Sequence, residues 1–563
     1  MIGVVGHRNL VDEEVPRLQE RVVEFLEGLR KQFPHLPLRV MSPLAEGADR
    51  LVARVAVDMG IPLIIPMPMP PDLYLSDFES EGSLQEFHEL SQHGEVIKLP
   101  LLAGSTEKEV SSGGTARDRQ YAQLGVFVCA HAHILLALWD GKESPKMGGT
   151  AQVIQFHHYD TMDRYTSAEK TSRLLLADDE SDLVYHIACS RAEPDGPPLP
   201  PLQPGDVSWL TTDPENPRTE SMPKRYLQIF ERTSEFNLDF ARHAERTKLN
   251  PWNLLTWDAD PAVSSALGQI DEIYLIADWL AGHFQKRFNF MLKATHTMAV
   301  LMGLAFMAYS DIAAVSSMIY LFLGLFAVGG AMYYIAERRA WHRKYLDYRA
   351  LAEGLRVQFF WAAGGITGGE ATKFTHDNFL QKQDVELGWI RNVMRVAGLY
   401  SDVECWRDST GLELAISEWV GSEDSGQTGY YKQKSQERAK LHRITVNLGT
   451  ACLWAGICAA AAIALFGNRF TEMTETLLIV LMGLLPLIAA TRDAYAHKKA
   501  EKELIKQYRF MYRVFQNARQ LLNRAESDAE RRQILKSVGE ACLDEHAEWI
   551  LMHRERPLEM GGL

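Results

Sequence analysis

Two long stretches almost without charge constrain this chain more than any other feature. Residues 294–335 contain Asp311 as their only charged residue, and residues 444–490 contain three charges, all near their middle. A helix that crosses the hydrocarbon core of a bilayer needs about 20 apolar residues. Each stretch is therefore long enough for a transmembrane helical hairpin, and we predict turns near Tyr309–Ile312 and Gly467–Glu475.

The basic residues on either side of these stretches predict their orientation. Lysine and arginine accumulate in cytoplasmic flanks of membrane helices, and they cluster here in residues 338–344, 434–443 and 492–502, whereas the predicted turns contain only Arg469. Both hairpins should then start and end in the cytoplasm. The N-terminal segment MIGVVGHRNL lacks the basic and apolar regions of a secretory signal. We expect a multi-pass protein of the inner (cytoplasmic) membrane, in contact with membrane lipid, with cytoplasmic N- and C-termini; two buried hairpins in a soluble core are the alternative.

The apolar helices carry few groups for transport chemistry. None has Asp, Glu, Lys or Arg in mid-span, which argues against a proton-coupled or ion-coupled carrier. Gly324, Gly329 and Gly330 allow close helix packing, so a homo-oligomer that forms a pore is one expectation and a plain membrane anchor is the other.

Composition excludes several further classes. With 59 Lys+Arg against 73 Asp+Glu, the net charge is −14, which argues against binding of a nucleic acid polymer. The six cysteines form no CxxC pair, so neither a structural zinc site nor a disulfide framework is expected. A mean hydropathy of −0.17 excludes a chain composed mostly of membrane helices. We expect no metal and no cofactor.

The N-terminal region alternates short apolar runs with amphipathic runs, which predicts an α/β fold. The fold class is therefore an α/β Rossmann-like doubly wound domain followed by an α-helical membrane region with two transmembrane hairpins and cytosolic helices. Predicted strands lie at Ile2–Val5, Leu38–Met41, Pro62–Pro66, Ile134–Trp139 and Leu183–Cys189, and helices at Glu13–Gln32, Ala48–Met59, Ser83–Gln92 and Ala116–Ala130. The predicted domains are 1–205, the nucleotide-sensing domain; 206–290, linker and coupling helices; 291–336, the first hairpin; 337–443, a cytosolic helical region; 444–491, the second hairpin; and 492–563, the C-terminal helices.

Polar and glycine-rich segments follow the predicted strands. In doubly wound sheets, ligands bind outside the carboxyl ends of the strands, and helix N-termini there can receive phosphate. The motifs are GVVGHR, SPLAEGADRLVA, PMPMPPDLYLSDF, ALWDG and MGGTAQV. Together they predict a ligand-binding site for a nucleotide-derived small molecule, formed by Gly6, His7, Arg8, Ser42, Glu46, Gly47, Arg50, Trp139, Asp140, Gly148, Gly149 and Thr150.

These motifs together resemble the SLOG superfamily, which is related to the LONELY GUY phosphoribohydrolases and to DNA-processing protein A. The segment from Gly354 through the second hairpin, with the closing run ACLDEHAEWILMHRERPLE, resembles SLATT-type membrane effectors more loosely. The resemblance implies a cytosolic sensor of a nucleotide-derived second messenger, such as an ADP-ribose derivative or a cyclic oligonucleotide, fused to a membrane effector in prokaryotic antiviral defence.

An enzyme is the alternative. The related hydrolases carry a glutamate three positions after the threonine of their GGxGT-type loop, where this chain has Val153, so the resemblance does not extend to that chemistry. Glu46 or Asp49 could still activate a water as acid or base, which would make the protein a membrane-tethered nucleotide hydrolase, an N-glycosidase or phosphoribohydrolase. A scaffold with a degenerate pocket is a third possibility.

The remaining segments predict connections and packing surfaces. Residues Glu193–Pro223 have the composition of a linker or of a surface excursion that closes the sensor domain, and helices near Lys224–Arg246 and Ser264–Phe288 would couple the sensor to the membrane. His157 and His158 are adjacent and should point apart, which disfavours a metal site. Each hairpin is followed by an amphipathic helix, which suggests a duplicated unit.

Overall fold

The computed structural model describes residues 1–78, 80–166, 182–248, 253–255, 261–311, 317–366, 379–380, 384–401, 403 and 409–555. The chain divides into an α/β unit, Met1–Ile273 with Gly365–Arg407, and a helical unit, Tyr274–Gly364 with Asp408–Leu563. The last residue of the predicted turn at Tyr309–Ile312 lies outside the described residues.

Within the described residues, the α/β unit is built on a mixed eight-stranded sheet. Its strands are β1 (Ile2–Gly6), β2 (Val40–Met41), β3 (Leu63–Met67), β4 (Gly94–Lys98), β5 (Ile134–Trp139), β6 (Val184–Ala188), β7 (Val207–Leu210) and β8 (Arg218–Thr219). The spatial order is β4-β3-β2-β1-β5-β6-β7-β8, parallel from β4 to β6 and antiparallel from β6 to β8. Gly3 pairs with Met41 on one side and Leu135 on the other, which fixes the central register.

Helices cover the sheet between its strands. They are α1 (Val15–Gln32), α2 (Ala48–Asp58), α3 (Pro71–Leu75), α4 (Glu81–Ser91), α5 (Glu107–Ser111), α6 (Thr115–His131), α7 (Thr150–Tyr159) and α8 (Lys224–Thr247). The strands β1, β3 and β5 are buried almost throughout because helices pack on them. All five predicted strands and all four predicted helices of this region are present, with ends that differ by at most two residues.

Two features of the sheet differ from the prediction. Residues Glu193–Pro223, predicted as a linker, contain β7 and β8, which extend the sheet past the predicted boundary at residue 205. Short strands among Pro, Asp and Gly residues give no periodic signal, and they belong to the sheet because β7 pairs with β6 and β8 pairs with β7. The strand β4 was also not predicted, because most of its side chains are exposed at the sheet edge.

After α8 the chain forms three helices in sequence: α9 (Pro261–Asp311), α10 (Ser317–Arg338) and α11 (Trp341–Ala363). The predicted boundary between a coupling helix and the first membrane helix, at residues 290 and 291, falls inside α9. A helix continues through this point because Phe288–Leu292 contains neither Gly nor Pro.

The chain then returns to the α/β unit through α12 (Gly388–Ala397). The ring nitrogen Nδ1 of His131, at the end of α6, lies 2.7 Å from the Arg395 carbonyl oxygen, and Nε2 of His133 lies 2.9 Å from that of Asn392. Arg232 on α8 forms an ion pair with Glu386 at 2.7 Å. Part of the predicted cytosolic helical region 337–443 thus packs on the α/β unit, a long-range contact that local periodicity does not encode.

The helical unit is completed by α13 (Ser409–Leu414), α14 (Gly426–Phe466), α15 (Glu472–Lys498), α16 (Glu501–Leu522) and α17 (Asp528–Arg554). Within the described residues, four helical segments are long and apolar enough to cross a membrane: Ala266–Ser310, Ser317–Ala363, Gly426–Arg469 and Glu472–Lys498. Large apolar side chains on them face outward, such as Tyr320 (75% exposed), Leu465 (74%) and Met473 (85%). Apolar surface of this extent is typical of a multi-pass membrane protein.

The two halves of the helical unit share one backbone feature. Ala340 separates α10 from α11 and Ala500 separates α15 from α16, and both residues have a left-handed conformation with φ of 50°. Each alanine follows a basic pair, Arg338-Arg339 or Lys498-Lys499. Since non-glycine residues rarely adopt this conformation, its recurrence at equivalent positions agrees with the predicted duplication.

Candidate functional site

A cavity of about 580 Å³ lies at the carboxyl ends of β1 and β5. The strand order reverses between these two strands, since β2 to β4 lie on one side of β1 and β5 to β8 on the other. Crevices at such a reversal are the usual ligand sites of parallel sheets. Eight of the residues named from the sequence line the cavity: Gly6, His7, Arg8, Asp49, Asp140, Gly148, Gly149 and Thr150.

Two glycines bring the loop after β1 against the start of α2. A Cβ on Gly6 would collide with the Cβ of Ala48, and one on Gly47 would lie 2.7 Å from the Arg8 carbonyl carbon. Gly47 also has a φ of +79°, which other residues rarely adopt. The Ala48 N–H donates to the His7 carbonyl oxygen at 3.0 Å and closes this contact. These glycines therefore shape the cavity wall by close backbone packing.

The N-terminus of α7 provides main-chain donors at the opposite wall. Gly148 has a φ of +70°, and a Cβ there would lie 2.7 Å from the Ala122 nitrogen. Gly149 is the N-cap residue and supplies no side-chain acceptor, so the first N–H groups of the helix, at Thr150 and Ala151, are not capped by it. Uncapped N–H groups and the helix dipole favour an anion at this position.

His7 and Asp140 form the floor between the two strands. The Asp140 N–H donates to His7 Nε2 at 3.1 Å, and the Lys142 N–H donates to Asp140 Oδ1 at 3.0 Å. Burial lowers the pKa of His7 below its usual range, although the neighbouring Asp140 carboxylate opposes this shift. His7 Nε2 also lies 3.1 Å from Asp140 Oδ1, so these contacts hold the β1 and β5 loops together.

Arg8 is the cavity cation best placed for a ligand. Its guanidinium carbon lies 5.3 Å from the centroid of the Tyr121 ring, and among the described residues no carboxylate lies within ion-pair distance of it. Arg117, by contrast, is bound to Asp77 at 2.8 Å, and Asp77 also accepts the Tyr121 hydroxyl hydrogen bond. Burial raises the pKa of Tyr121 to about 12, so the ring is neutral. Arg8 thus keeps a full positive charge for an anion.

Asp49 places an ionisable carboxyl in the same cavity. The residue is 7% exposed, and burial raises its pKa from 3.8 to about 7, although Arg8, a backbone hydrogen bond at Ala45 and Arg50 act in the opposite direction. A carboxyl that titrates near neutral pH can accept or donate a proton. The site therefore contains one group suited to acid or base chemistry.

The other candidates lie outside the cavity lining. Ser42 donates to the Asp49 carbonyl oxygen at 3.0 Å, and Glu46 accepts from the Ser83 hydroxyl. Trp139 donates through Nε1 to the Lys142 carbonyl oxygen at 3.1 Å. These side chains hold the loops that form the walls.

Arg50 also supports the fold. It is 3% exposed, and it donates to the Leu44 carbonyl oxygen at 3.0 Å and to Glu86 at 3.0 Å, with its guanidinium carbon 4.6 Å from the Phe78 ring centroid. Through these hydrogen bonds, the Arg50 guanidinium connects the loop after β2 to α4. Its assignment to phosphate binding therefore has no geometric support, whereas that of Arg8 has.

Sequence reasoning did not name one polar group on the cavity rim. Arg191 follows β6, forms an ion pair with Asp195 at 2.7 Å and donates through Nε to Asn9 Oδ1 at 3.0 Å. The position of Arg191 directly after a parallel strand could have identified it, because polar residues that follow such a strand lie at the same sheet edge as those after β1 and β5.

The adjacent histidines do not mark a metal site in the described part of the chain. His157 is fully buried, with Nε2 3.3 Å from the Leu183 carbonyl oxygen. Among the described residues, no group of three His, Cys, Asp or Glu side chains is placed to hold a metal ion. Val153 lines the cavity of the α/β unit and is 3% exposed.

Comparison of the whole chain with protein-family models, curated proteins and solved structures yielded no match.

Proposed function

We propose that this protein is a membrane effector controlled by a nucleotide-derived second messenger, which binds in the cavity of the α/β unit. The observation that carries the proposal is the pairing of Arg8 with the uncapped N-terminus of α7 across a cavity at the sheet reversal. The same chain contains four segments apolar enough to cross a membrane. A sensor of the SLOG type with a Rossmann-like, doubly wound fold is part of the proposal, supported by the parallel order from β4 to β6.

The chemistry of the cavity favours an organic phosphate. Arg8 would bind one phosphate oxygen, and the Thr150 and Ala151 N–H groups would bind others. The Tyr121 ring offers an aromatic surface beside Arg8. The volume lies within the range of roughly 300–1,000 Å³ that is typical of small-molecule sites. An ADP-ribose derivative or a cyclic oligonucleotide meets these requirements.

The membrane region would respond as two hairpins of the SLATT type, with the basic flanks and both termini on the cytoplasmic side of the inner membrane. Formation of a homo-oligomer is supported by α10. Among the described residues, nothing lies within 4 Å of a Cβ built on Gly324 or Gly330. Gly456, by comparison, packs against Pro486 of the same chain. Open glycine positions on an exposed apolar helix suit close approach of a second copy, and the oligomer would open a pore or disrupt the bilayer in antiviral defence.

The helix α6 offers a route for the signal within the α/β unit. Its N-terminal half contributes Arg117 and Tyr121 to the cavity, and its last residue, His131, contacts the Arg395 carbonyl oxygen of α12. The chain continues from α12 to α13 and α14. A ligand that moves α6 would therefore act on the segment that connects the two apolar helix pairs.

The first experiment uses the full-length protein, purified in detergent, with a panel of ADP-ribose derivatives and cyclic oligonucleotides. Chromatography of the bound and free fractions reports retention and breakdown together. We expect one compound to be retained intact, and that compound to release a trapped dye from liposomes that contain the protein. Intact retention without ligand-dependent leakage would contradict the effector and favour a scaffold.

Asp49 favours a second candidate, a membrane-tethered nucleotide hydrolase. A carboxyl with a pKa of about 7 inside the cavity could activate a water against an N-glycosidic bond, whereas Glu46 is bound to Ser83 outside the lining. The same chromatography decides between the two functions. Release of free base and sugar phosphate by the protein, but not by Asp49→Asn, would replace the sensor with the enzyme.

A further inference from the structure

A second cavity, of about 410 Å³, lies within the helical unit. Side chains from α9, α11, α14, α16 and α17 line it, so its residues are spread over most of the unit. No sequence motif marks it. The volume lies within the range of roughly 300–1,000 Å³ that small-molecule sites occupy.

Two arginines of this cavity are paired with carboxylates. Arg349 donates to Asp278 Oδ1 at 3.1 Å and forms an ion pair with Glu353. Arg356 donates to Glu353 Oε2 at 2.8 Å and to the Tyr274 hydroxyl at 3.1 Å. Two guanidinium groups thus face two carboxylates, and this network connects α9 to α11 without a net charge.

Arg438 on α14 is different. Its guanidinium carbon lies 5.4 Å from the centroid of the Tyr508 ring, and in the part of the chain that the structure describes no carboxylate comes within 4.0 Å of its nitrogens. A ring face stabilises the positive charge but uses none of the N–H donors. The donors of Arg438 are therefore available to an anion in the cavity.

The net charge of the cavity depends on whether Glu545 is protonated. Burial, with the neighbouring carboxylates of Glu353 and Glu548, raises the pKa of Glu545 to about 7. Burial lowers the pKa of His546 to about 3, so this ring is neutral. When Glu545 is protonated, the three lining arginines exceed the two lining carboxylates by one charge.

The cavity is positioned beyond the ends of the apolar stretches. Arg438 precedes Ile444 by six residues, and Tyr345 follows Ile335 by ten residues. At 1.5 Å per helical residue of α14, Arg438 lies roughly 9 Å past the apolar end, and Tyr345 lies on α11, beyond the break in the helix at Ala340. This is the side that carries the basic clusters, so the cavity is accessible from the level of lipid headgroups or from the adjoining solution.

We propose that the helical cavity is a second ligand site, specific for a phosphate-bearing small molecule, in which Arg438 binds the phosphate and the tyrosine rings pack against the rest of the ligand. Tyr430, Tyr431 and Tyr508 form the aromatic wall, with ring centroids 5.3–6.4 Å apart. Aromatic walls also suit quaternary ammonium ions, but the positive charge of Arg438, which has no carboxylate partner among the described residues, would repel a cation. The phosphate can belong to a free organophosphate or to a phospholipid headgroup.

The test titrates the full-length protein in detergent with AMP, with dioctanoyl phosphatidic acid and with choline, and measures heat of binding. Arg438→Gln is compared with Arg443→Gln, which removes the same charge from an exposed position on the same helix. We expect AMP or phosphatidic acid to bind the unchanged protein and Arg443→Gln equally, and Arg438→Gln at least about tenfold more weakly, which corresponds to 1.4 kcal/mol.

Either phosphate source supports the site when Arg438→Gln weakens its binding: AMP binding of this kind indicates an aqueous ligand, and phosphatidic acid binding of this kind indicates a lipid. Equal affinities of Arg438→Gln and Arg443→Gln, saturable binding of choline alone, or no binding of any probe would overturn the proposal. If Arg438→Gln proves to be unfolded by circular dichroism, Arg438→Lys replaces it. This variant keeps the charge but loses the paired N–H donors, so several-fold weaker binding is expected and unchanged binding would contradict the site.

Discussion

The two cavities of this protein contain the same two kinds of charged side chain, an arginine over a tyrosine ring and a buried carboxyl group, but they differ in the groups that surround these side chains. Each has an arginine without a carboxylate partner among the described residues, positioned over a tyrosine ring: Arg8 over Tyr121 at 5.3 Å and Arg438 over Tyr508 at 5.4 Å. Each also has a carboxyl whose pKa burial raises to about 7. The α/β cavity adds the N–H groups of a helix N-terminus, whereas the helical cavity adds only side chains.

This difference shows that one cavity depends on the backbone of its loops and the other on the side chains of its helices. In the α/β cavity, glycines at the loops bring backbone donors to the ligand, and a bulky residue there would disturb the wall itself. In the helical cavity, the backbone of every lining helix is already hydrogen-bonded within the helix. Its binding properties therefore depend on side chains, which can change without loss of the fold.

Gly47→Val gives the largest expected effect. The Gly47 φ of +79° and its approach to the Arg8 backbone leave no room for a side chain, so we expect the α/β unit not to fold. Gly60→Val, with a φ of +67° and nothing within 4 Å, is the control, and it should cost only about 1–2 kcal/mol of backbone strain. Gly282→Ala, in the lining of the helical cavity, should fold normally.

Denaturant unfolding followed by tryptophan fluorescence measures all three variants. Equal stability of Gly47→Val and Gly60→Val would show that close packing at the β1 loop does not shape the cavity. Loss of the fold in Gly282→Ala would remove the contrast between the two cavities.

Asp49→Asn should change the pH dependence of stability. The folded carboxyl has a pKa of about 7, above its ordinary value of 3.8, so between these values the folded state retains a proton that the unfolded state has released. Stability therefore falls as pH rises through this window, by on the order of 4 kcal/mol in total at about 1.4 kcal/mol per pKa unit. We expect Asp49→Asn to lack this decrease.

Urea unfolding at several pH values tests this prediction, with Asp58→Asn, an exposed residue of the same helix, as the control. The same slope in Asp49→Asn and in the unchanged protein would show that another group titrates.

Arg50→Met should lower stability without a direct effect on ligand affinity. The substitution removes the donor of the Leu44 carbonyl oxygen and leaves the Glu86 carboxylate with Arg54 as its partner, and we expect a loss of about 2 kcal/mol in the free energy of unfolding. Folded protein should bind the messenger as before, because Arg50 lies outside the cavity lining. A stable variant with weakened binding would reverse this assignment.

Arg8→Ala should weaken ligand binding and leave stability unchanged, which is the opposite of Arg50→Met. Its expected change in free energy is the smallest of the four predictions. We expect affinity for the nucleotide-derived ligand to fall about tenfold, or 1.4 kcal/mol, because one charge-assisted contact is lost. Stability should be unchanged. Lys98→Ala, which removes an exposed charge from β4, is the control for the altered net charge. Calorimetric titration measures both, and equal affinity in the two variants would exclude Arg8 from the site.

The five strands and four helices of the α/β unit that the sequence predicted each have a local signal. The apolar runs at β1, β3 and β5 and the amphipathic runs between them follow from the period of burial. The glycine motifs were also visible, and Gly6, Arg8 and Gly148 do line one cavity. Arg8 and Arg50, however, look alike in the sequence, and only their contacts show that Arg8 lies over the Tyr121 ring in the cavity whereas Arg50 is bound to Leu44 and Glu86.

The sequence by itself determined where the chain is apolar, where charge flanks those stretches, and where strands end in glycine and polar residues. These properties depend on neighbouring residues, so they can be read locally. The tertiary structure alone decided that α12 packs on the α/β unit, that burial raises the pKa of Asp49, and that Arg438 and Tyr508 share a cavity. Contacts between residues tens or hundreds of positions apart depend on packing, and no local pattern encodes which of them form.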